Sequence, residues 1–192
     1  MKKLTYLITL ICCTAAVLGC DELEELLEED IEVNISFQGE LAIESETLLD
    51  PTEAVEFHSQ GATYDITEDP EIAELLESGT GTGEIKKIEI TQIRYLFQDF
   101  EGNADAVVNG GFQLIDQTMF VQGFQTVETN LAMADENNSL FTINGDFSEI
   151  NERLTESGSV LFLYAGTASH NPVAFNVDVT FLVKVTIMPP DL

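Results

Sequence analysis

From Ile31 onward, apolar and polar positions alternate with a period of two along much of this chain. Ile31, Val33, Ile35 and Phe37 alternate with Glu32, Asn34 and Ser36, the pattern of a strand with one face buried. The clearest case lies near the C-terminus. Val173, Phe175, Val177, Val179, Phe181, Val183, Val185 and Ile187 are all apolar, with Asn176, Asp178, Thr180, Lys184 and Thr186 between them. The spacing predicts a strand, or two collinear strands, about fifteen residues long. Leu182 and Met188 fall on its polar side and predict that this second face is partly covered towards the end.

Shorter segments fill the interval. Residues 41–43 and 54–57 read as short strands around an Asp50-Pro51 turn. Residues 85–97 form a long strand whose phase switches. Ile88 and Ile90 share one parity, while Ile93, Tyr95 and Phe97 share the other. A bulge near Thr91 and Gln92 would turn both sets to the core. Residues 106–115 read as strand broken by Asn109-Gly110-Gly111, a hairpin signal. Residues 119–127 are another strand, and residues 160–164 one buried on both faces. His170-Asn171-Pro172 marks a turn before the last strand.

Two segments switch to the helical period. Asp69-Pro70-Glu71 opens one helix, with Asp69 as cap, Pro70 at the first position, Ile72, Leu75 and Leu76 as its apolar stripe and Gly79 at its end. Asp146 and Glu149 resemble a capping box for a second, with Phe147, Ile150 and Leu154 facing inward. Roughly eight strands, two short helices and no repeating strand–helix alternation give a mainly β fold. The expectation is an antiparallel β-sandwich or flattened barrel, one domain over residues 31–192.

Composition narrows what such a domain can do. The chain has 192 residues, 35 Asp and Glu against 7 Lys and Arg, and a formal charge of −28. Phosphate binding needs clustered cations, so a nucleic-acid partner is excluded. A hydrophobic fraction of 44% with 12 Phe still supplies a core.

The first residues have a different character. Lys2 and Lys3 precede an apolar run over residues 4–18. At 1.5 Å per residue that run is about 22 Å long, short of the ~30 Å core of a bilayer. It reads as the apolar region of a signal peptide over residues 1–19. The run ends in Val17-Leu18-Gly19-Cys20, followed by Asp21. This junction resembles the lipobox of bacterial lipoproteins. The resemblance implies cleavage before Cys20, acylation of Cys20 with palmitate and its like, and attachment to a membrane through those acyl chains. Cys12 and Cys13 would leave with the signal, so Cys20 would be the only cysteine left and no disulfide within the chain is possible. Loss of Lys2 and Lys3 takes the charge from −28 to about −30, which rules out a polybasic second anchor on anionic lipid.

Residues 20–30 join the lipidated Cys20 to the domain as an acidic tether, since residues 21–30 hold seven acids. Leu23, Leu26 and Leu27 share a helical face, but the acids repel one another, and a solvated linker is expected. With this stretch, the chain resembles the small surface lipoproteins of the Bacteroidetes, whose β-rich domains have no established activity. The resemblance implies a place in the cell envelope at the outer membrane and assigns no functional residues.

Catalytic chemistry is sparse. His58 and His170 are the only histidines, and no Gly-x-Ser-x-Gly, His-x-x-x-His or Cys-x-x-Cys spacing occurs. His58 is opposite in parity to Val55 and Phe57 and should face solvent. Gly79-Thr80-Gly81-Thr82-Gly83 follows a helix and precedes a strand, the reverse of a phosphate loop, and reads as a connection. Asp99, Glu101, Asn103 and Asp105 place side-chain oxygens at alternate positions, a calcium-loop candidate that lacks the obligatory Gly and the closing Glu of an EF-hand. Without Trp, a glycan platform has no obvious centre. The expected function is non-catalytic, a binding or structural role with an envelope protein or glycan as partner and no cofactor. The alternative is a calcium- or metal-dependent envelope enzyme that uses the acidic loops.

Overall fold

The computed structural model describes residues 30–77 and 83–188. The strands are β1 (Ile31–Glu44), β2 (Val55–His58), β3 (Ala62–Asp65), β4 (Glu84–Gly102), β5 (Val107–Ile115), β6 (Val121–Gln125), β7 (Thr129–Asn130), β8 (Phe141–Ile143), β9 (Ser159–Ala168) and β10 (Val173–Met188). Helices α1 (Pro70–Glu77), α2 (Leu131–Glu136) and α3 (Ser148–Ser157) lie between them, with a 3-10 turn at Ile66–Glu68.

Two sheets form, and every pairing in them is antiparallel. Sheet A has the order β1-β10-β4-β8, and sheet B the order β2-β9-β5-β6, with β3 also on β9 and β7 also on β5. The sheets stay separate, so the fold is a sandwich and not a flattened barrel. Successive strands cross between sheets at every connection except β2–β3 and the turns that link β5, β6 and β7. If β2 and β3 are taken as one strand and β7 is set aside, the sheets alternate partners as two Greek keys. That is the jelly-roll arrangement.

β10 is the axis of sheet A, paired with β1 along one side and β4 along the other. Its apolar positions from Val173 to Ile187 are all buried, and the intervening ones are half-buried, Leu182 and Met188 among them. Phe37 stacks between Tyr64 and Phe181, at 4.0 and 4.4 Å between ring centroids, and Phe181 meets Phe162 of the opposite sheet at 5.0 Å. Tyr95, Phe97, Phe112, Tyr164 and Phe175 form a second aromatic group between the sheets. Such pairs contribute about 0.5–1.5 kcal/mol each beyond their buried area.

Residues 31–37 and 41–43 belong to one strand. The break between them in the sequence is Gly39, which lies on the inner side, where a Cβ would come within 2.5 Å of the Phe162 ring. The phase switch in β4 is a bulge at Thr91. Gln92 pairs with Leu182 and Ile90 with Val183, so Thr91 is the extra residue, and its hydroxyl donates to the Leu182 carbonyl at 3.1 Å. Ile88, Ile90, Ile93, Tyr95 and Phe97 are therefore all buried.

Three sequence expectations change. Asn109-Gly110-Gly111 is not a hairpin turn but the middle of β5. Its glycines are required by crowding, because a Cβ on Gly110 would lie 2.7 Å from the Ala165 carbonyl and one on Gly111 2.7 Å from that of Phe124. Residues 160–164 are buried on one face only, with Leu161 and Leu163 half-buried on the other. There are three helices among the described residues, the third being α2, capped by the Asn130 side chain accepting from the Met133 amide.

At α1, Asp69 accepts from the Glu71 amide as expected, Ile72 is buried and Leu75 and Leu76 are half-buried. Gly79 lies outside the described residues. At α3, Ile150 and Leu154 point inward as expected, but no capping box closes. Asp146 accepts from the Ser148 amide, and the Ile150 amide is met by Gln122 Oε1 of β6 at 3.0 Å.

Candidate functional site

Along the second half of β1 runs a groove of about 1160 Å³. Glu40, Glu44 and Glu46 line it, with Glu56 and His58 of β2 and Asp99 and Glu101 of β4, and no Lys or Arg does. The alternation of β1 and β10 places Glu40 directly opposite Asp178 in the pairing register. Like charges placed so repel one another. Asn176 eases the crowding, since its side-chain amide donates to Glu40 Oε1 at 2.9 Å and to Asp99 Oδ2 at 3.2 Å. Burial, and then the neighbouring Asp99, push the Asp178 carboxyl above its ordinary value. A cleft lined by one sign of charge concentrates ions of the other sign. The groove is thus built to attract cations.

The calcium-loop candidate is drawn out rather than curled. Asp99 and Glu101 belong to β4, Asp99 at a φ of 53° where the strand bulges against β10. Asn103 is used in a tight turn, its Oδ1 accepting from the Asp105 amide at 2.9 Å and its carbonyl from Ala106 at 2.8 Å. A calcium loop must wrap its oxygens round one point. Here Asp99, Glu101 and Asp105 do not converge, and among the described residues no group of three or more His, Cys, Asp or Glu side chains could hold a metal ion.

His58 is exposed on β2, as its parity predicts. His170 Nδ1 lies 2.9 Å from Ser169 Oγ, which also accepts from the Val107 amide. Among the described residues no carboxylate bonds to either histidine. Among the described residues, a serine, a histidine and an orienting acid are therefore not joined by hydrogen bonds. Cys20 lies outside the described residues. So does most of the Gly79–Gly83 run; Gly83 is described, and its amide donates to the Leu76 carbonyl.

A buried carboxylate of the domain escaped sequence reasoning. Asp116, 5% exposed, follows β5. It accepts from the Thr118 amide and hydroxyl and the Phe120 amide, each at 2.8 Å, with Arg153 of α3 at 3.5 Å. The Arg153 guanidinium also lies 4.0 Å from the centroid of the Phe120 ring. Burial works to raise the Asp116 carboxyl, but the Thr118 hydroxyl, the two amides and Arg153 outweigh it and hold it below its ordinary value. The signal was present as Asp-x-Thr. The same bonds recur at Asp50-Pro51-Thr52 and Asp65-Ile66-Thr67, each an Asx turn next to a strand or loop. Asp116 fastens the β5–β6 hairpin to α3; it faces no groove described above.

No family model matches the chain, and no curated protein matches it. Among solved structures, it is similar to that of Desmodium yellow mottle tymovirus at 9% identity and a TM-score of 0.36, covering 85% of this chain and 91% of that one. Turnip yellow mosaic virus gives 9% and 0.37, covering 85% and 84%. The BFDV capsid protein in its decameric form gives 8% and 0.39, covering 82% and 99%. Values this low transfer nothing to this chain. Among the described residues no helix is long and apolar enough to cross a membrane.

Proposed function

We propose that this chain is a lipid-anchored protein of the cell envelope, held at the outer membrane by acyl chains on Cys20, whose sandwich has a non-catalytic binding role. The observation that carries the reading is the order Lys2-Lys3, apolar residues 4–18, Gly19-Cys20-Asp21. Two features support it. The described fold starts at the first residues after the acidic run, so Cys20 and Ile31 are separated by a segment that reaches at most about 40 Å. The groove gathers acids without a nucleophile and base in hydrogen-bonding reach, which suits recognition by charge better than covalent chemistry.

Mass spectrometry of the mature protein should find an acylated Cys20 at the N-terminus, and Cys20→Ala should move the protein out of the membrane fraction. An unmodified N-terminus at another residue would end the anchoring half of the proposal. Titration with Ca²⁺ and Zn²⁺ tests the enzymatic alternative. The binding reading expects no saturable rise in Tm, whereas a tight one would favour a metal-dependent enzyme.

A further inference from the structure

Sheet A has two flanks, and the chain treats them differently. On the β4 flank the backbone is covered. The Ile88 amide donates to Thr155 Oγ1 of α3 at 2.9 Å, and the Ile90 amide to Asn151 Oδ1 at 2.8 Å. Asn151 also donates back to the Ile90 carbonyl. β8 pairs with residues 93–95, and the Phe100 amide donates to Asp135 Oδ2 of α2 at 3.0 Å.

On the β1 flank nothing of the kind occurs among the described residues. The Ser45 amide donates to the Val173 carbonyl at 2.9 Å, which sets the phase of the β1–β10 ladder. In an antiparallel pair the bonded positions alternate. The odd-numbered residues of β1 therefore bond to β10, and the even-numbered ones from Glu32 to Glu44 turn their N–H and C=O groups away from it. None of those outward groups has a partner among the described residues. A long edge with unpaired backbone groups is a template for another strand.

Charge selects what can use it. The edge is bordered by the large acidic groove and by a smaller one of about 510 Å³ lined in part by Ser36, Gln38, Asp65, Glu68 and Asp69. Neither is lined by Lys or Arg. A second copy would bring the same acids, in a chain of formal charge −28, against themselves. An extended segment carrying Lys or Arg at alternate positions would satisfy both the backbone and the carboxylates.

We propose that the open edge of β1 from Ser36 to Glu44 docks an extended, Lys- or Arg-bearing segment of another protein, which adds to sheet A as a further strand. This deepens the binding role proposed above and rests on it. Backbone bonds supply the affinity in this mode of recognition. Charge supplies the steering, which salt weakens.

The test uses the full chain in detergent and a fluorescein-labelled ten-residue peptide alternating Lys and Thr. Two control peptides carry Glu in place of Lys, or the same Lys residues with alternate backbone amides N-methylated. The Lys peptide should bind saturably and slow hydrogen exchange at the amides of Ser36, Gln38, Glu40, Ala42 and Glu44. Both control peptides should bind at least about tenfold more weakly. Gln38→Pro removes an outward donor without breaking a bond to β10 and should weaken the Lys peptide by a similar factor. Glu40→Gln with Glu44→Gln should weaken it chiefly at low salt.

Equal binding of the N-methylated peptide would show attraction by charge alone and overturn strand addition. So would absent binding of the Lys peptide. Protection of those amides in the free protein at low concentration would mean that the chain itself fills the edge, and protection appearing only at high concentration would mean a second copy does. Either overturns the proposal. Acylation of Cys20 is read separately, so the anchoring proposal can stand where this one fails.

Discussion

β5 and β9 meet at Gly110 and Gly166, which pair across the ladder. A Cβ added to Gly166 would lie 2.4 Å from the Asn109 carbonyl oxygen and 2.5 Å from Gly110 Cα. Both are backbone atoms, so no rotamer change relieves the clash. Ordinary contact begins at 3.4 Å, so Gly166→Ala requires the strands to part by about 1 Å. Inter-strand bonds of about 2.9 Å would then stretch to about 3.9 Å, beyond hydrogen-bonding range. Each buried bond opened without a substitute costs about 1–3 kcal/mol. Against two or three partly opened bonds stands a gain of only about 0.4–1 kcal/mol from stiffening the unfolded chain. The expected net loss is about 2–4 kcal/mol. Gly123 on β6 is the control, because a Cβ there meets nothing within 4 Å. Gly123→Ala should be neutral or stabilising by about 0.4–1 kcal/mol. Urea denaturation of both variants against the parent, with unchanged m-values, makes the comparison. If Gly166→Ala is as stable as Gly123→Ala, the close approach of β5 and β9 is wrong.

Phe181→Ala should cost about 3–5 kcal/mol in the same assay, since its ring is fully buried between Phe37 and Phe162; Thr180→Ala on the outer face should cost under about 1 kcal/mol, and equal effects would contradict the inward phase of β10. Asn151→Ala strips both bonds from buried Ile90 and should cost about 1–3 kcal/mol, with faster hydrogen exchange at the Ile90 amide; an unchanged rate would show that α3 does not shield that flank. Asp116 is held below its ordinary value of 3.8 in the folded protein, so its contribution is full above that value and is lost as pH falls through it to the lowered folded value. Asp116→Asn should therefore flatten the acid side of the stability–pH curve, and parallel curves for parent and variant would refute the assignment.

The period-two reading recovered the strands whose inner face is unbroken, β10 above all, and the bulge at Thr91, because parity in a strand is a direct record of which side is buried. It failed where a glycine interrupts the apolar pattern of a strand. Gly39 split β1 in two on paper, and Gly110 and Gly111 imitated a turn, since glycine looks alike in a turn and in a crowded sheet. α2, with six residues, and β8, with three, are too short to show a period; α2 is announced only by Asn130 as its cap. The calcium-loop reading rested on alternate oxygens, and alternate positions are also what an extended strand provides. The acidic groove had no signature of its own, because it collects acids from β1, β2 and β4, which lie far apart in the chain.

Ile31 pairs with Ile187, while Glu44, thirteen residues further along β1, pairs with Ala174. The start of β1 and the end of β10 thus lie at one pole, and at about 3.3 Å per residue the other pole stands roughly 43 Å away. Glu44, Glu46, Glu56, Asp99 and Glu101 are gathered at that far pole. In the anchored arrangement proposed here, the tether joins the domain at Ile31, at the near pole. The acidic groove then lies at the end of the sandwich away from the point of attachment, about one strand length from it.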